Sequence, residues 1–260
     1  MRRTVLTLSL VLAGALLAAC GKGSVTTSAR VTTVTVPGRS TPTGKAPPAN
    51  PTPSQPSDRG KALAFAHAVN LTSADVPGFA ASEKHSEDSS SEKRLERQML
   101  SCAGIRGSSN AVLEEGSKDF RLKRQILDLS VSSEVAVQSS AADAQKGLAA
   151  IRSAHVRGCF SKYLQQIFKG EQSKGATPGP VTIQAGTPPA EGADGSFGWR
   201  VTATFLVRGI KVPIYLDFLG FVDGPSEVTL LSSGLLEPFP AAAQQHLFAL
   251  LLARARSHKP

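Results

Sequence analysis

Residues 197–221, FGWRVTATFLVRGIKVPIYLDFLGF, decide the fold class. Phe197, Trp199, Val201, Ala203, Phe205 and Val207 alternate with Gly198, Arg200, Thr202, Thr204 and Arg208, and Leu206 is the one apolar exception on the second face. After Gly209, the residues Val212, Ile214, Leu216 and Phe218 alternate with Lys211, Pro213, Tyr215 and Asp217. Alternation with period two marks a half-buried strand, and two such runs about a glycine make a hairpin. With Gly209-Ile210 as the central turn residues, glycine stands first, as a type II′ turn requires. That register sets Val207 against Val212, Phe205 against Ile214, Ala203 against Leu216 and Val201 against Phe218, all on one face. A slip of one residue would destroy the agreement. Pro213 has no N–H and needs a non-bonded or edge position.

The polar side of this hairpin is the candidate binding surface. In the same register Thr202 opposes Asp217 and Thr204 opposes Tyr215, with Arg200 one pair along. Arg200, Thr202, Thr204, Tyr215 and Asp217 would converge there if no helix covers them. The plain alternative is the solvent side of an antiparallel sheet. Trp199 reads as core.

Working outward, Asp223-Gly224 turns into a strand, Val228 to Ser232. Pro238-Phe239-Pro240 then introduces a last helix with Ala243, Leu247, Leu250 and Leu251 on one face. Arg254, Arg256 and Lys259 crowd its C-terminal end, where cations suit the helix dipole. Upstream, Leu113 begins β material carried by Phe120 and Leu122, then Leu127, Leu129 and Val131, then Val135 and Val137. Ser140-Ala141-Ala142-Asp143 resembles a capping box with Asp in the Glu position. It opens a helix whose face is Ala144, Leu148 and Ile151, which continues or breaks near His155 into a stripe of Val156, Phe160, Leu164 and Ile167. Residues 170 to 179 read as a flexible loop. Lys61 to Val69 read as a short helix, Leu71 to Gly78 as a turn-rich connection, and 82–94 as a hydrophilic loop. The order helices, strands, helices, hairpin, strand, helix argues an α+β domain with a largely antiparallel sheet packed by helices.

The N-terminal residues set the address. Arg2 and Arg3 precede an apolar run, Val5 to Leu17, too short for a comfortable membrane span. Leu17-Ala18-Ala19-Cys20 then places small residues before a cysteine, the pattern of a bacterial lipoprotein signal. Cleavage there makes Cys20 the lipid-carrying (palmitate-type) N-terminus and lowers the net charge from +9 to +7, because two arginines leave. The expected organisation is a signal peptide at 1–19, a Thr/Pro/Ser-rich disordered tether at 20–58, and an extracytoplasmic α+β domain at 59–260. The tether is too poor in large apolar side chains to offset its ordering entropy.

Cys20 aside, two cysteines remain, Cys102 and Cys159, an even pair in an oxidising compartment. Leu95, Met99 and Cys102 follow i, i+4, i+7; Val156, Cys159 and Tyr163 follow i, i+3, i+7. Two helices burying these stripes together would bring the sulfurs within bonding range. Two buried free thiols are the alternative, and a metal pair has no accompanying ligand cluster.

Catalytic signatures are missing: there is no G-x-S-x-G, H-E-x-x-H, Walker loop or C-x-x-C. The histidines His67, His85, His155, His246 and His258 are dispersed. Glu114 and Glu115 are adjacent, so on a strand they point to opposite faces. No catalytic residue, cofactor or metal ligand is nominated. A scattered basic charge with few aromatics argues against nucleic acid and for anionic lipid, wall polymer or acidic partners.

Val131-Ser132-Ser133-Glu134-Val135-Ala136-Val137, a helix carrying Cys159, a Gly198-Trp199-Arg200 strand, Val212-Pro213-Ile214-Tyr215-Leu216-Asp217 and the closing Pro-Phe-Pro helix together resemble a group of actinobacterial lipoproteins. These are similar to the extracellular sensor domain of a mycobacterial receptor serine/threonine kinase. The resemblance covers roughly residues 95 to 256. It implies a disulfide-stapled, PsbP-like α/β sandwich with an open, ligand-taking cleft. The kinase sensors carry a second disulfide, which this chain lacks the cysteines to form, and with no kinase or transmembrane helix here signalling is not carried over.

The expected function is a membrane-anchored lipoprotein, on the extracytoplasmic face of the cell membrane, with a non-enzymatic, sensor-like domain that binds a ligand or partner. Its partners are the membrane, through the lipid, and a small molecule, lipid, wall polymer or protein. The alternative is a carrier of lipid or another apolar ligand across the envelope. A wall-directed hydrolase would need a nucleophile or metal constellation assembled in space.

Overall fold

The computed structural model describes residues 56–82, 90–104, 111–170 and 176–260. The lipoprotein signal, Cys20, the tether up to residue 55 and most of the hydrophilic 82–94 loop lie outside them. In chain order the elements are α1 (Pro56–Val69), β1 (Ala80–Ser82), α2 (Ser90–Ala103), β2 (Ala111–Gly116), β3 (Asp119–Arg124), β4 (Leu127–Gln138), α3 (Ala141–Arg152), α4 (Ala154–Gly170), β5 (Ala176–Gly186), β6 (Gly195–Val207), β7 (Ile210–Asp223), β8 (Ser226–Leu235) and α5 (Ala241–Ser257).

The strands form one antiparallel sheet in the order β1-β3-β4-β8-β7-β6-β5, with β2 pairing the far end of β4. The fold is α+β, as the alternation implied. Each face of the sheet has its own apolar core. On the first face, α3 and α4 lay Ala144, Leu148, Ile151, Phe160 and Leu164 against Trp199, Val201, Phe205, Leu216 and Phe218. Phe160 stands 5.3 Å from Trp199 and 5.5 Å, edge-on, from Phe218. On the second face, α1 and α5 pack Phe65, Val69, Leu247, Phe248 and Leu251 against Val131, Val135, Phe221 and Leu230. Truncating an aromatic in either core to alanine costs about 3–5 kcal/mol.

The hairpin has the faces read from sequence but a different register. Val207 pairs with Ile210, Phe205 with Val212, Ala203 with Ile214, Val201 with Leu216 and Trp199 with Phe218. The central turn residues are Arg208 and Gly209, both at positive φ (53° and 83°), as type I′ requires, rather than Gly209-Ile210 in type II′. The shift is two residues, and side chains repeat every two, so the apolar pattern is satisfied by either register. Turn geometry breaks the tie. Pro213 falls at a pair that alternation from the turn makes non-hydrogen-bonded, and its carbonyl accepts from Leu236 N–H.

Two further elements differ from expectation, and a third follows one of its two readings. The 170–179 loop is partly strand: β5 starts at Ala176, and a register shift between Pro178 and Val181 absorbs its prolines at the sheet edge. On α5 the buried positions are Gln244, Leu247, Phe248 and Leu251, and Ala243 is exposed. Gln244 is buried because its Nε2 donates to Ser232 Oγ at 2.6 Å. The helical run after Ser140 breaks at Ser153. Its opening matches the cap reading: Asp143 N–H donates to Ser140 Oγ, which itself donates to the Asp143 carboxylate.

A disulfide joins Cys102 of α2 to Cys159 of α4, with Cα atoms 5.7 Å apart. Cys159 is buried and Cys102 exposed, so the link pins α2 to the rim of the first core. Closing its 57-residue separation removes about 4 kcal/mol of unfolded-chain entropy.

Candidate functional site

The five hairpin residues lie together on the second face, beyond the strands that α1 and α5 cover. Arg200 pairs directly with Asp217, and Thr202 with Tyr215, while Thr204 faces Pro213. The earlier placing of Thr202 against Asp217 and Thr204 against Tyr215 therefore gives way with the register. Direct opposition lets the guanidinium bind the carboxylate through two hydrogen bonds, Nε–Oδ1 at 2.6 Å and Nη2–Oδ2 at 3.0 Å. Asp217 is 3% exposed, and the Arg200 side chain is 42% exposed. That bond holds the Arg200 guanidinium above its ordinary pKa. The pair is thus engaged with itself, and Ser232, opposite Asp217 on β8, is taken by Gln244. Thr202, Thr204 and Tyr215 are half-buried and complete the polar surface.

A pocket opens on the first face instead, where the α3–α4 junction meets β5 and β6. Its volume is about 370 Å³, and Arg152, Arg157, Gly186, Thr187, Phe197 and Trp199 line it. Small-molecule sites start at roughly this size, with aromatic walls and a few polar groups. The helix break at Ser153 turns α3 into α4 and so brings one arginine from each of two successive helices to the lining. Arg152 Nε donates to Ser196 O at 2.9 Å, and Nη2 donates to the same carbonyl, which fixes that side chain against β6. This site is not legible in the sequence, because Trp199 reads as core and Arg152 belongs to no motif. Trp199 is indeed core, at 2% exposure, and also forms the pocket wall.

A second cluster was also invisible in sequence. Glu114 and Glu115 do point to opposite faces, since they pair with Ala136 and Val135. Ala136 pairs on its other side with Glu227, and Glu134 lies two residues along β4. Three glutamates from β2, β4 and β8 therefore share the first face. Burial, with Glu114 and then Glu227 adding repulsion, pushes the Glu134 carboxyl up to about 8. Burial and Glu114 push Glu227 up to about 7. The sequence offered one hint, Glu134 inside the strand-like run Ser132 to Val137, whereas Glu227 falls just before the expected strand and joins it only in the structure.

In structure the chain is similar to the extracellular domain of PknH from Mycobacterium tuberculosis, with a TM-score of 0.39 and 12% identity. The match covers 75% of this chain and 96% of that domain. No family model matches the chain, and no curated protein matches it in sequence.

Proposed function

We propose that the chain is an extracytoplasmic domain, tethered to the membrane by lipid at Cys20, that binds a small anionic ligand without transforming it. The observation that carries this reading is the pocket between α3, α4, β5 and β6, whose lining includes Arg152, Arg157, Phe197 and Trp199. Guanidinium forks match carboxylate and phosphate oxygens, and indole and phenyl faces accept the apolar remainder of such a molecule. The disulfide supports an oxidising compartment, where such bonds persist. Thr202, Thr204 and Tyr215 remain a candidate surface for a macromolecular partner such as a wall polymer.

Native mass spectrometry of the full chain, extracted in mild detergent from its own membrane, tests the reading. A retained low-mass anion is expected, lost in Arg157→Gln. Retention of acyl-chain masses that Arg157→Gln leaves in place would put the apolar carrier in its stead, and no retained species at all would sink both. Palmitate labelling that Cys20→Ala abolishes is expected for the anchor.

A further inference from the structure

Two hairpins of the sheet turn at the same end. Leu235 of β8 pairs with Asp128 of β4 on one side and with Ile214 of β7 on the other. Both partners are antiparallel to β8, so β4 and β7 point the same way, and each starts from a two-residue turn beyond that row. The turns are Gln125-Ile126, between β3 and β4, and Arg208-Gly209, between β6 and β7. Three strand spacings separate them, roughly 14–15 Å.

The surface of this end is unlike the rest. Among the described residues the large apolar side chains left exposed are Leu63, Ile126, Leu206 and Ile210, and all but Leu63 lie at or beside these turns. Ile126 is 73% exposed and Ile210 68%. Apolar residues exposed singly are ordinary, whereas several gathered among polar ones mark contact with a partner or a membrane. Cations stand beside them: Lys123 and Arg124 precede the first turn, and Arg208 and Lys211 frame the second, all exposed. Arg124, Arg208 and Lys211 form no ion pair among the described residues. The carboxylates nearby are Asp128, held by Arg121 and Lys123 at 3.6 and 3.8 Å, and Glu237, just past β8. Positive charge is therefore left over at this end.

Exposed isoleucine beside unpaired arginine and lysine suits the boundary between lipid headgroups and acyl chains. The branched side chains enter the acyl region, and the long basic ones keep their charge at the phosphates. A polyanion alone would match the cations and leave the isoleucines in water. We propose that the hairpin tips 123–127 and 206–211 dock the domain end-on onto an anionic lipid bilayer. This reading goes beyond the anchor proposed at Cys20 and rests on it only for proximity, since a tether raises the local concentration of bilayer and makes shallow contacts sufficient. It also places the arginine pocket. Trp199 and Val207 are eight residues apart on β6, roughly 26 Å of strand, so docking by the tips holds the pocket away from the lipid.

Hydrogen exchange of the full chain reconstituted in vesicles tests the contact. With about one phosphatidylglycerol in three lipids, the rest phosphatidylcholine, amides of 123–127 and 206–211 should exchange about fivefold more slowly than in phosphatidylcholine alone. Raising NaCl to about 0.5 M, which cuts the screening length to about 4 Å, should remove most of that protection. Ile126→Ser with Ile210→Ser should abolish it, as should Arg124→Gln with Lys211→Gln; all four side chains are exposed, so the fold tolerates both pairs. Leu63→Ser, at the exposed apolar side chain on α1, should change nothing. Equal exchange in the two kinds of vesicle, or protection confined to one tip, would overturn the proposal. Protection that survives the serine pair, and that soluble polyphosphate reproduces without vesicles, would assign the tips to a wall polymer and overturn it too. Palmitate labelling reads Cys20 separately, so a missing anchor and a tip without lipid contact are told apart.

Discussion

The two faces of the sheet bury charge in opposite ways. On the second face two carboxylates each have a guanidinium: the buried Asp217 is held by Arg200, and the partly buried Asp75 by Arg254 at 2.7 Å. On the first face three glutamates meet one another, and the covering helices are joined by a disulfide. A buried pair that is fully bonded is scaffold, because its hydrogen-bonding capacity is spent internally. A buried carboxyl crowded by others instead keeps its proton well above the ordinary range, as Glu134 does.

The largest expected effect probes the covalent link. Cys102→Ser with Cys159→Ser should lower stability by about 2–5 kcal/mol in a urea titration. An unchanged midpoint would show that apolar packing alone seats α2 on the first face. Next comes the compensated pair. Arg200→Ala strands the Asp217 carboxylate and should cost about 2–4 kcal/mol, below the full-burial value because Arg200 is half-exposed. Adding Asp217→Leu should restore most of the loss, and failure to do so would mean that the polar geometry itself holds the hairpin.

Substitution on the acidic face should have the opposite sign. A carboxyl pushed above its ordinary range keeps protons in the folded chain that the unfolded chain has released. Its contribution is full below the unfolded value, near 4.5, and is lost as pH climbs to about 8 for Glu134. Glu134→Gln should therefore raise Tm by roughly 3–8 °C at pH 8 and hardly at all at pH 4.5. A fall in Tm at pH 8 would mean that the carboxylate is compensated after all. The smallest effect belongs to the open polar surface: Thr202→Ala should stay within about 0.5 kcal/mol of the parent in the same melt. A larger loss would make that hydroxyl part of the scaffold.

Much of the fold was legible because it is written in local periods. The faces of β6 and β7, the buried stripe Ala144-Leu148-Ile151 and the Ser140 cap all follow from spacing within a few residues. The hairpin register was not legible, because a shift of two residues keeps every side chain on its face. Arg208 at positive φ is a turn choice that the apolar pattern does not encode. The β5 strand was hidden by Pro178, Gly179 and Pro180, which an edge strand with a bulge tolerates. The first-face pocket and the glutamate cluster are both assembled from distant strands and helices. Glu114, Glu134 and Glu227 share one neighbour, Ala136, only once β2, β4 and β8 are paired, and nothing in a linear reading brings them together.

The grip of Arg254 on Asp75 and on the Asn70 carbonyl spans nearly the whole described chain. The central strand β4 likewise has one edge bare until β8, starting at Ser226, arrives beside it. A polypeptide made from its amino end thus lacks both its closing strand and its clasp until synthesis is almost over. Such a timetable delays compaction until the last strand and helix are in place.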